Sequence, residues 1–277
     1  MMNKQFSVKE KVCIITGAGK GIGREVAQLF YSEGAAVALI TRNMDDLRSL
    51  KKELMFDDSR VLLYSGDVSD EETVKNFVKE SINKFQRIDV LINNAGMRFR
   101  KQFLDTTTEE WDKVINTNLN SAYFFCREAG RHMVKQKNGR VINIASIVGT
   151  LGLPELAAYG TSKGGMITLT KCLALEWAEY NINVNAIAPG FCKTSYAENF
   201  KKKTELYKFT IERTPQKKWG TSLDIANACL FLASDAANYI TGEILNGHAH
   251  IDIFHSAACH NKMEIPLYHS RRSTLVL

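Results

Sequence analysis

Tyr159 and Lys163 stand four residues apart in the stretch Asn143–Lys163, NIASIVGTLGLPELAAYGTSK. On a helix that spacing puts both side chains on one face. An ammonium beside a phenol favours the phenolate and lowers a pKa that is otherwise about 10. Tyr159 therefore reads as a proton donor or acceptor usable near neutral pH. Ser146 closes an apolar run before this helix and could direct a hydroxyl into the same space. Tyr-x3-Lys by itself is equally the pattern of a surface helix pair, so its meaning depends on what lies upstream. There, Thr16-Gly-Ala-Gly-Lys-Gly-Ile-Gly23 sits between the apolar run Val12–Thr16 and the periodic Val26, Ala27, Leu29 and Phe30. Strand, glycine turn and helix is the context of a dinucleotide site. The glycines let backbone approach a pyrophosphate, and the helix N-terminus offers free N–H groups and a positive dipole end.

The elements that must position these groups follow a regular rhythm. Short apolar runs at Ala36–Ile40, Val61–Tyr64, Ile88–Ile92, Arg140–Ser146, Ile182–Ala188 and Tyr239–Leu245 read as buried strands. Helical patterns alternate with most of them: Asp45 and Asp46 open one, Glu71–Phe85 is amphipathic, and Trp111–Met133, Ala157–Tyr180 and Leu223–Leu232 follow. That alternation is the pattern of a parallel sheet covered on both faces, an α/β doubly wound domain. Asn118 falls inside the helix Trp111–Met133, where it reads either as a solvated residue or as a functional one. The Lys-rich stretch Thr194–Ile211 reads as a mobile lid over a cleft.

Composition narrows the classes. The chain has 277 residues, 45% of them hydrophobic, enough for one large α/β domain. The net charge of +6 is mild, and short runs such as Lys217–Lys218 read as solvated faces rather than a nucleic-acid patch. The six cysteines show no CxxC pair or metal spacing, the pattern of free thiols in a reducing, cytoplasmic compartment. No apolar run is long enough to span a membrane, and MMNKQFSVKEK has no signal-like core.

Taken in order, these motifs resemble the short-chain dehydrogenase/reductase family over roughly residues 9–246. They are Thr16-Gly17-x3-Gly21-x-Gly23, Asp67-Val68, Asn93-Asn94-Ala95-Gly96, Asn118, Ser146, Tyr159-x3-Lys163 and Pro189-Gly190 with Thr194. The resemblance implies one Rossmann domain over 1–255 with about seven parallel strands, and a variable tail over 256–277. It implies catalysis by Asn118, Ser146, Tyr159 and Lys163. Tyr159 would exchange the proton, Lys163 would lower its pKa and hold the nicotinamide ribose, Ser146 would bind the carbonyl, and Asn118 would anchor a water. Gly17, Lys20, Gly21, Ile22 and Gly23 would line the phosphate turn, and Asp67 and Val68 would meet adenine. Asn94, Ala95 and Gly96 would lie near the riboses, and Ile187, Pro189, Gly190 and Thr194 near the nicotinamide. The cofactor would supply the hydride. The partners implied are a small carbonyl or alcohol substrate and further copies of the chain, as a dimer or tetramer.

Two details sharpen the expectation. The second strand ends Leu39-Ile-Thr-Arg-Asn43, with Arg42 where an NAD site normally carries an acid. Arg42 and Lys20 together predict NADP(H) rather than NAD(H); the alternative is that Asp45 or Asp46 reaches back to the ribose. Residues 93–103 and Arg213–Gly220 resemble the gluconate 5-dehydrogenase members, next to the 3-oxoacyl-acyl-carrier-protein reductases. The substrate expected is then a small polyhydroxy acid, with Arg100 on its carboxylate. Where the family commonly reads Val-Asp-Gly-Gly, this chain has Asn246-Gly247-His248-Ala249-His250. A metal site there is not expected, because the spacings of His248, His250, Cys259 and His260 match no standard set.

Overall fold

The computed structural model describes residues 4–193 and 204–247; within 204–206 only the backbone is described. Seven strands form one parallel sheet: β1 (Val12–Thr16), β2 (Ala36–Thr41), β3 (Val61–Ser65), β4 (Val90–Asn93), β5 (Gly139–Ile144), β6 (Ile182–Pro189) and, last in the chain, a strand over Ile244–Gly247. In space the order is β3-β2-β1-β4-β5-β6, closed by Ile244–Gly247 beside β6. The order reverses between β1 and β4, and such a switch point leaves a crevice at the carboxyl ends of the strands.

Each strand is apolar on both sides because helices cover both sides. Cys13 and Ile15 of β1 face one cluster and Ile14 the other; Val37 and Leu39 of β2 divide from Ala38 and Ile40 in the same way. The first cluster is roofed by α1 (Gly21–Ser32) and α2 (Met44–Leu54), the second by α3 (Glu71–Phe85). Along the second face run α4 (Thr108–Ile115), α5 (Ser121–Gln136) and, past the short turn α6 (Val148–Leu151), α7 (Ala157–Trp177). After β6 come a two-residue strand β7 (Cys192–Lys193) and α8 (Thr204–Arg213). Then follow β8 (Gly220–Thr221), which pairs with β7, and α9 (Ser222–Ala233), which packs beside α1. The strand over Ile244–Gly247 is β9.

Two elements differ from the pattern read in the sequence. The expected helix Trp111–Met133 begins earlier, at Thr108, because Thr107 and Glu110 form a reciprocal capping box. Its middle is not regular: Asn116–Asn120 is a π-helical turn between α4 and α5. The last strand begins at Ile244 rather than Tyr239. Tyr239 is fully exposed, Gly242 turns the chain with φ +78°, and the Asn183 and Asn185 side chains donate to the Ile240 carbonyl in place of a ladder. No helix among the described residues is long and apolar enough to cross a membrane. The expected tail and the histidines from His248 onward lie outside the described residues.

Candidate active site

Two cavities open at the carboxyl ends of the strands and share Ile22, Asn94 and Gly96, so they form one groove. The first, about 580 Å³, holds Ser146, Tyr159, Lys163, Pro189 and Gly190. The second, about 470 Å³, holds Gly17, Lys20, Arg42, Asp67, Val68 and Ala95.

The glycine turn is shaped for close backbone approach. Gly17 has φ +64°, and a Cβ at Gly23 would lie 2.3 Å from the Gly17 carbonyl oxygen and 2.3 Å from Asn94 Nδ2. Asn94 explains the tightness. Its Nδ2 donates to the carbonyls of Thr16 (2.9 Å) and Gly17 (3.1 Å), and its backbone N–H donates to Thr16 Oγ1 (3.0 Å). Asn94 was expected at the riboses. It does border both cavities, but its amide is spent on pinning the turn to the end of β4. Gly21 follows with φ +55°, and α1 begins there with no side-chain cap on its first N–H groups. Such a turn fits a pyrophosphate.

At the other end, Lys163 is buried at 4% exposure and donates from Nζ to the Ile144 carbonyl at 2.7 Å. Desolvation lowers its pKa from the usual 10.5 to about 8. Tyr159 lies on the same helix face. Its phenol is pushed above its usual 10 by burial, against the opposing pull of the Ser146 hydroxyl bonded to it and of the Arg98 charge. This corrects the expected direction: Lys163 does not hold the phenol down in this arrangement, because its ammonium is turned to a carbonyl and burial dominates. Tyr159 is therefore held protonated, as a donor. Ser146 lies just past β5, where its Oγ accepts from the Val148 N–H at 3.2 Å.

Asn118 is fully buried, not solvated. Its Oδ1 accepts from the Met97 N–H (2.7 Å), and its Nδ2 donates to the Met97 carbonyl and to Ser162 Oγ, both at 3.0 Å. Ser162 in turn donates to the Tyr159 carbonyl at 2.7 Å. Asn118 thus ties the segment after β4 to α7, and both amide hydrogens are spent. A Cβ on Gly96 would lie 3.2 Å from Asn118 Oδ1 and 3.5 Å from Lys163 Nζ, so this glycine keeps the space between them open. The π turn that carries Asn118 is a distortion of the kind that recurs at functional sites.

The remaining expected residues divide. Asp67 and Val68 border the second cavity, and Ser69 donates twice to Asp67 Oδ1. Ile187 does not reach the groove; it is a core residue whose carbonyl accepts from the Ala145 N–H. Thr194 lies outside the described residues. Arg100 borders the first cavity, but its Nε is bonded to the Glu155 carboxylate. One residue was missed: Glu155, in left-handed backbone at φ +65°, faces Arg100. Asp46, which the sequence offered as the alternative contact to the ribose, opens α2 as expected and borders the second cavity, 3.6 Å from Lys20 Nζ. Among the described residues no group of three or more His, Cys, Asp or Glu is placed to hold a metal ion.

Comparison with known proteins agrees with this geometry. Residues 17–247 match the family model described as enoyl-(acyl carrier protein) reductase. The chain is 39% identical to the 3-oxoacyl-[acyl-carrier-protein] reductase FabG of Thermotoga maritima, over 85% of this chain and 95% of that one. It is 36% identical to the 2-dehydro-3-deoxy-D-gluconate 5-dehydrogenase of Bacillus subtilis, over 88% and 95%. Among solved structures it is similar to ElxO with NADP bound, with a TM-score of 0.81, 36% identity and coverage of 86% and 96%.

Proposed function

This chain belongs to the short-chain dehydrogenase/reductase family of oxidoreductases, and we propose that it interconverts a small polyhydroxy acid and its keto form with NADP(H). When bound, the nicotinamide cofactor supplies or takes up the hydride. The chain's own residues do the rest. In the reducing direction Ser146 donates to the substrate carbonyl and offsets charge developing on its oxygen. Tyr159 gives that oxygen its proton; burial keeps the phenol protonated, in the form that can donate. Lys163 provides a buried ammonium beside the cofactor's ribose. The glycine turn, with Ile22, would hold the pyrophosphate, and Asp67 and Val68 the adenine.

The observation that carries the substrate class is the placement of Arg98 and Arg100 on the wall of the cavity that contains Ser146 and Tyr159. A cationic wall suits a carboxylate. Arg100 is the proposed contact. Its Nε is taken by Glu155, and its two terminal nitrogens make no bond among the described residues. For NADP(H), the support is Lys20 and Arg42 at the far end of the groove; a charge-assisted phosphate contact contributes about 1.5–3 kcal/mol. A homo-oligomer is part of the proposal, supported by the exposed Leu175 of α7 and Tyr123 of α5. A cytoplasmic location is supported by five free cysteines among the described residues. The second reading, a 3-oxoacyl-acyl-carrier-protein reductase, is favoured by the FabG similarity and by the apolar part of the wall, Leu153, Phe191 and Trp219.

Steady-state assays with 5-ketogluconate and an acetoacetyl thioester, each with NADPH and NADH, test the reading. The expected result is a higher kcat/KM for the keto acid and tighter binding of NADPH. A clear preference for the thioester moves the chain to the second reading. Tighter binding of NADH removes the cofactor assignment.

A further inference from the structure

Below the proton-transfer groups runs a buried polar row that takes no part in the chemistry described above. Asn93 of β4 and Asn143 of β5 are register partners, and Asn93 Nδ2 donates to Asn143 Oδ1 at 2.8 Å. Asn143 Nδ2 donates to Thr170 Oγ1 of α7 at 2.8 Å, and Thr170 Oγ1 donates onward to the Met166 carbonyl at 2.8 Å. None of the three residues is more than 2% exposed. Their places in the chain give the row its meaning. Thr170 stands seven residues past Lys163 and eleven past Tyr159. At the helical period that is within about 20° of each around the axis, so the three share one stripe of α7. Asn143 stands three residues before Ser146, near the end of β5. The row therefore joins the strand that leads to Ser146 to the helix that presents Tyr159 and Lys163.

The apolar contact beside this row does little to fix the helix. The buried cluster there sets Met166 and Ile167 against Ala122, Ala145, Ala186 and Ala188. Alanines present a smooth surface, and apolar contact is non-directional. A helix so packed can turn or slide slightly at little loss of buried area. Lys163 and Ser162 also hold α7, through the Ile144 carbonyl and Asn118. The lysine, however, reaches on a flexible stem, and Asn118 belongs to the π turn rather than to the sheet. Asn143 makes the short contact carried by a strand. Its bond to Thr170 cannot follow a shift of the helix, because a buried donor left without its acceptor costs more than the bond contributes. From this row we infer that Asn143 and Thr170 are positioning residues for proton transfer. They set the rotation and height of α7 on the sheet, and with them the distance from the Tyr159 hydroxyl to Ser146 and to the oxygen it protonates. The inference rests on the reading of Tyr159 as the proton donor.

The test compares three variants of the full chain. Thr170→Val keeps the shape and removes the hydroxyl, and Thr170→Ser keeps the hydroxyl. Ile167→Val trims the packing of the same helix without touching the row. Each is assayed in light and heavy water with NADPH and whichever of 5-ketogluconate and the acetoacetyl thioester the wild type reduces faster. A displacement of a fraction of an ångström should lower kcat in Thr170→Val by about tenfold. KM and the NADPH dissociation constant should stay nearly unchanged, because the loss falls on the transition state alone. The solvent isotope effect on kcat should rise as proton transfer becomes the slower step. Thr170→Ser should return both kcat and the isotope effect to wild-type values. Ile167→Val should lower the melting temperature and leave both unchanged. If the valine variant does not fold, Thr170→Ala takes its place with the same expectations. Three results overturn the inference: a Thr170→Val with wild-type kcat and isotope effect, a serine variant that behaves like the valine one, or an Ile167→Val that loses as much kcat. The reading of Tyr159 fails separately, on a Tyr159→Phe variant that keeps its turnover, whatever Thr170→Val does.

Discussion

At one end of the groove, Lys163 is buried against a backbone carbonyl with no acid bonded to it; at the other, the exposed Lys20 faces Asp46 across 3.6 Å. The same residue type does different work in the two places. In the dry end there is little to screen a charge, so burial alone moves Lys163 to about 8 and Tyr159 above its usual range. In the wet end the charges offset one another, and a ligand can re-partner them at small cost. The catalytic end is thus built for fixed proton affinities, the cofactor-selective end for exchangeable pairs. Substitutions should therefore act through rate and pH at the first and through relative affinity at the second.

The largest expected effect is at the dry end. Tyr159→Phe removes the proton donor while leaving Ser146, Lys163 and the glycine turn in place. Turnover should fall by about 10²–10⁴-fold, with cofactor dissociation constants nearly unchanged. A purified variant with wild-type turnover would break the assignment of this end as the catalytic one.

Next in size is the junction between the two ends. A Cβ at Gly23 would meet the Gly17 carbonyl and Asn94 Nδ2 at 2.3 Å, and backbone cannot step aside as a flexible side chain can. Gly23→Ala should lower stability by about 1–3 kcal/mol and weaken NADPH and NADH together. A thermal melt and a binding titration check both parts. A variant that discriminated between the two cofactors would show that the turn, and not the wet end, carries selectivity.

The buried lysine gives a pH signature. The folded pKa of Lys163, about 8, lies below its usual 10.5. Between these values the folded chain binds fewer protons than the unfolded one, so its contribution to stability improves as pH rises from about 8 to 10.5. Below about pH 8 the fold carries the full cost of the buried charge, about 3 kcal/mol. Relative to Lys163→Met, wild-type stability should climb across that window, measured by denaturant unfolding at a series of pH values. A pH-independent difference would mean that Lys163 keeps its charge in the fold at no cost.

Much of this could be read in the sequence, for a physical reason. Strands buried on both faces leave unbroken apolar runs such as Val12–Thr16 and Ala36–Ile40, and Tyr159 and Lys163 are linked by a helix period. What escaped depends on contacts between distant segments or on backbone detail that hydropathy does not record. Asn116–Asn120 has an ordinary helical composition, yet it forms a π turn that brings Asn118 onto Met97 and Ser162. Glu155 lies in a Gly/Pro loop, and only the fold brings it onto Arg100. The upward shift of Tyr159 reverses the expectation from its neighbour, because burial cannot be read from a four-residue spacing.

The smallest effect expected is also the one that sharpens the substrate assignment. Arg100 follows β4 and Glu155 precedes α7, and the two segments are joined by their ion pair and by a bond from the Lys101 N–H to the Glu155 carbonyl at 2.9 Å. Both partners of the ion pair are partly exposed, so it adds little stability, about 0–1 kcal/mol. It does aim the guanidinium, and it competes with any substrate carboxylate for the same charge. Arg100→Ala should raise KM for a keto acid several-fold with little change in kcat, because the lost interaction is shared by ground and transition states. Glu155→Gln should do the reverse and lower KM for the same substrate, since the arginine loses its competing anion while its backbone neighbour stays in place. A neutral ketone of similar size should be indifferent to both changes. If the neutral ketone responded as strongly as the acid, Arg100 would be shaping the cavity rather than reading a carboxylate, and the substrate class would have to be argued from the apolar wall instead.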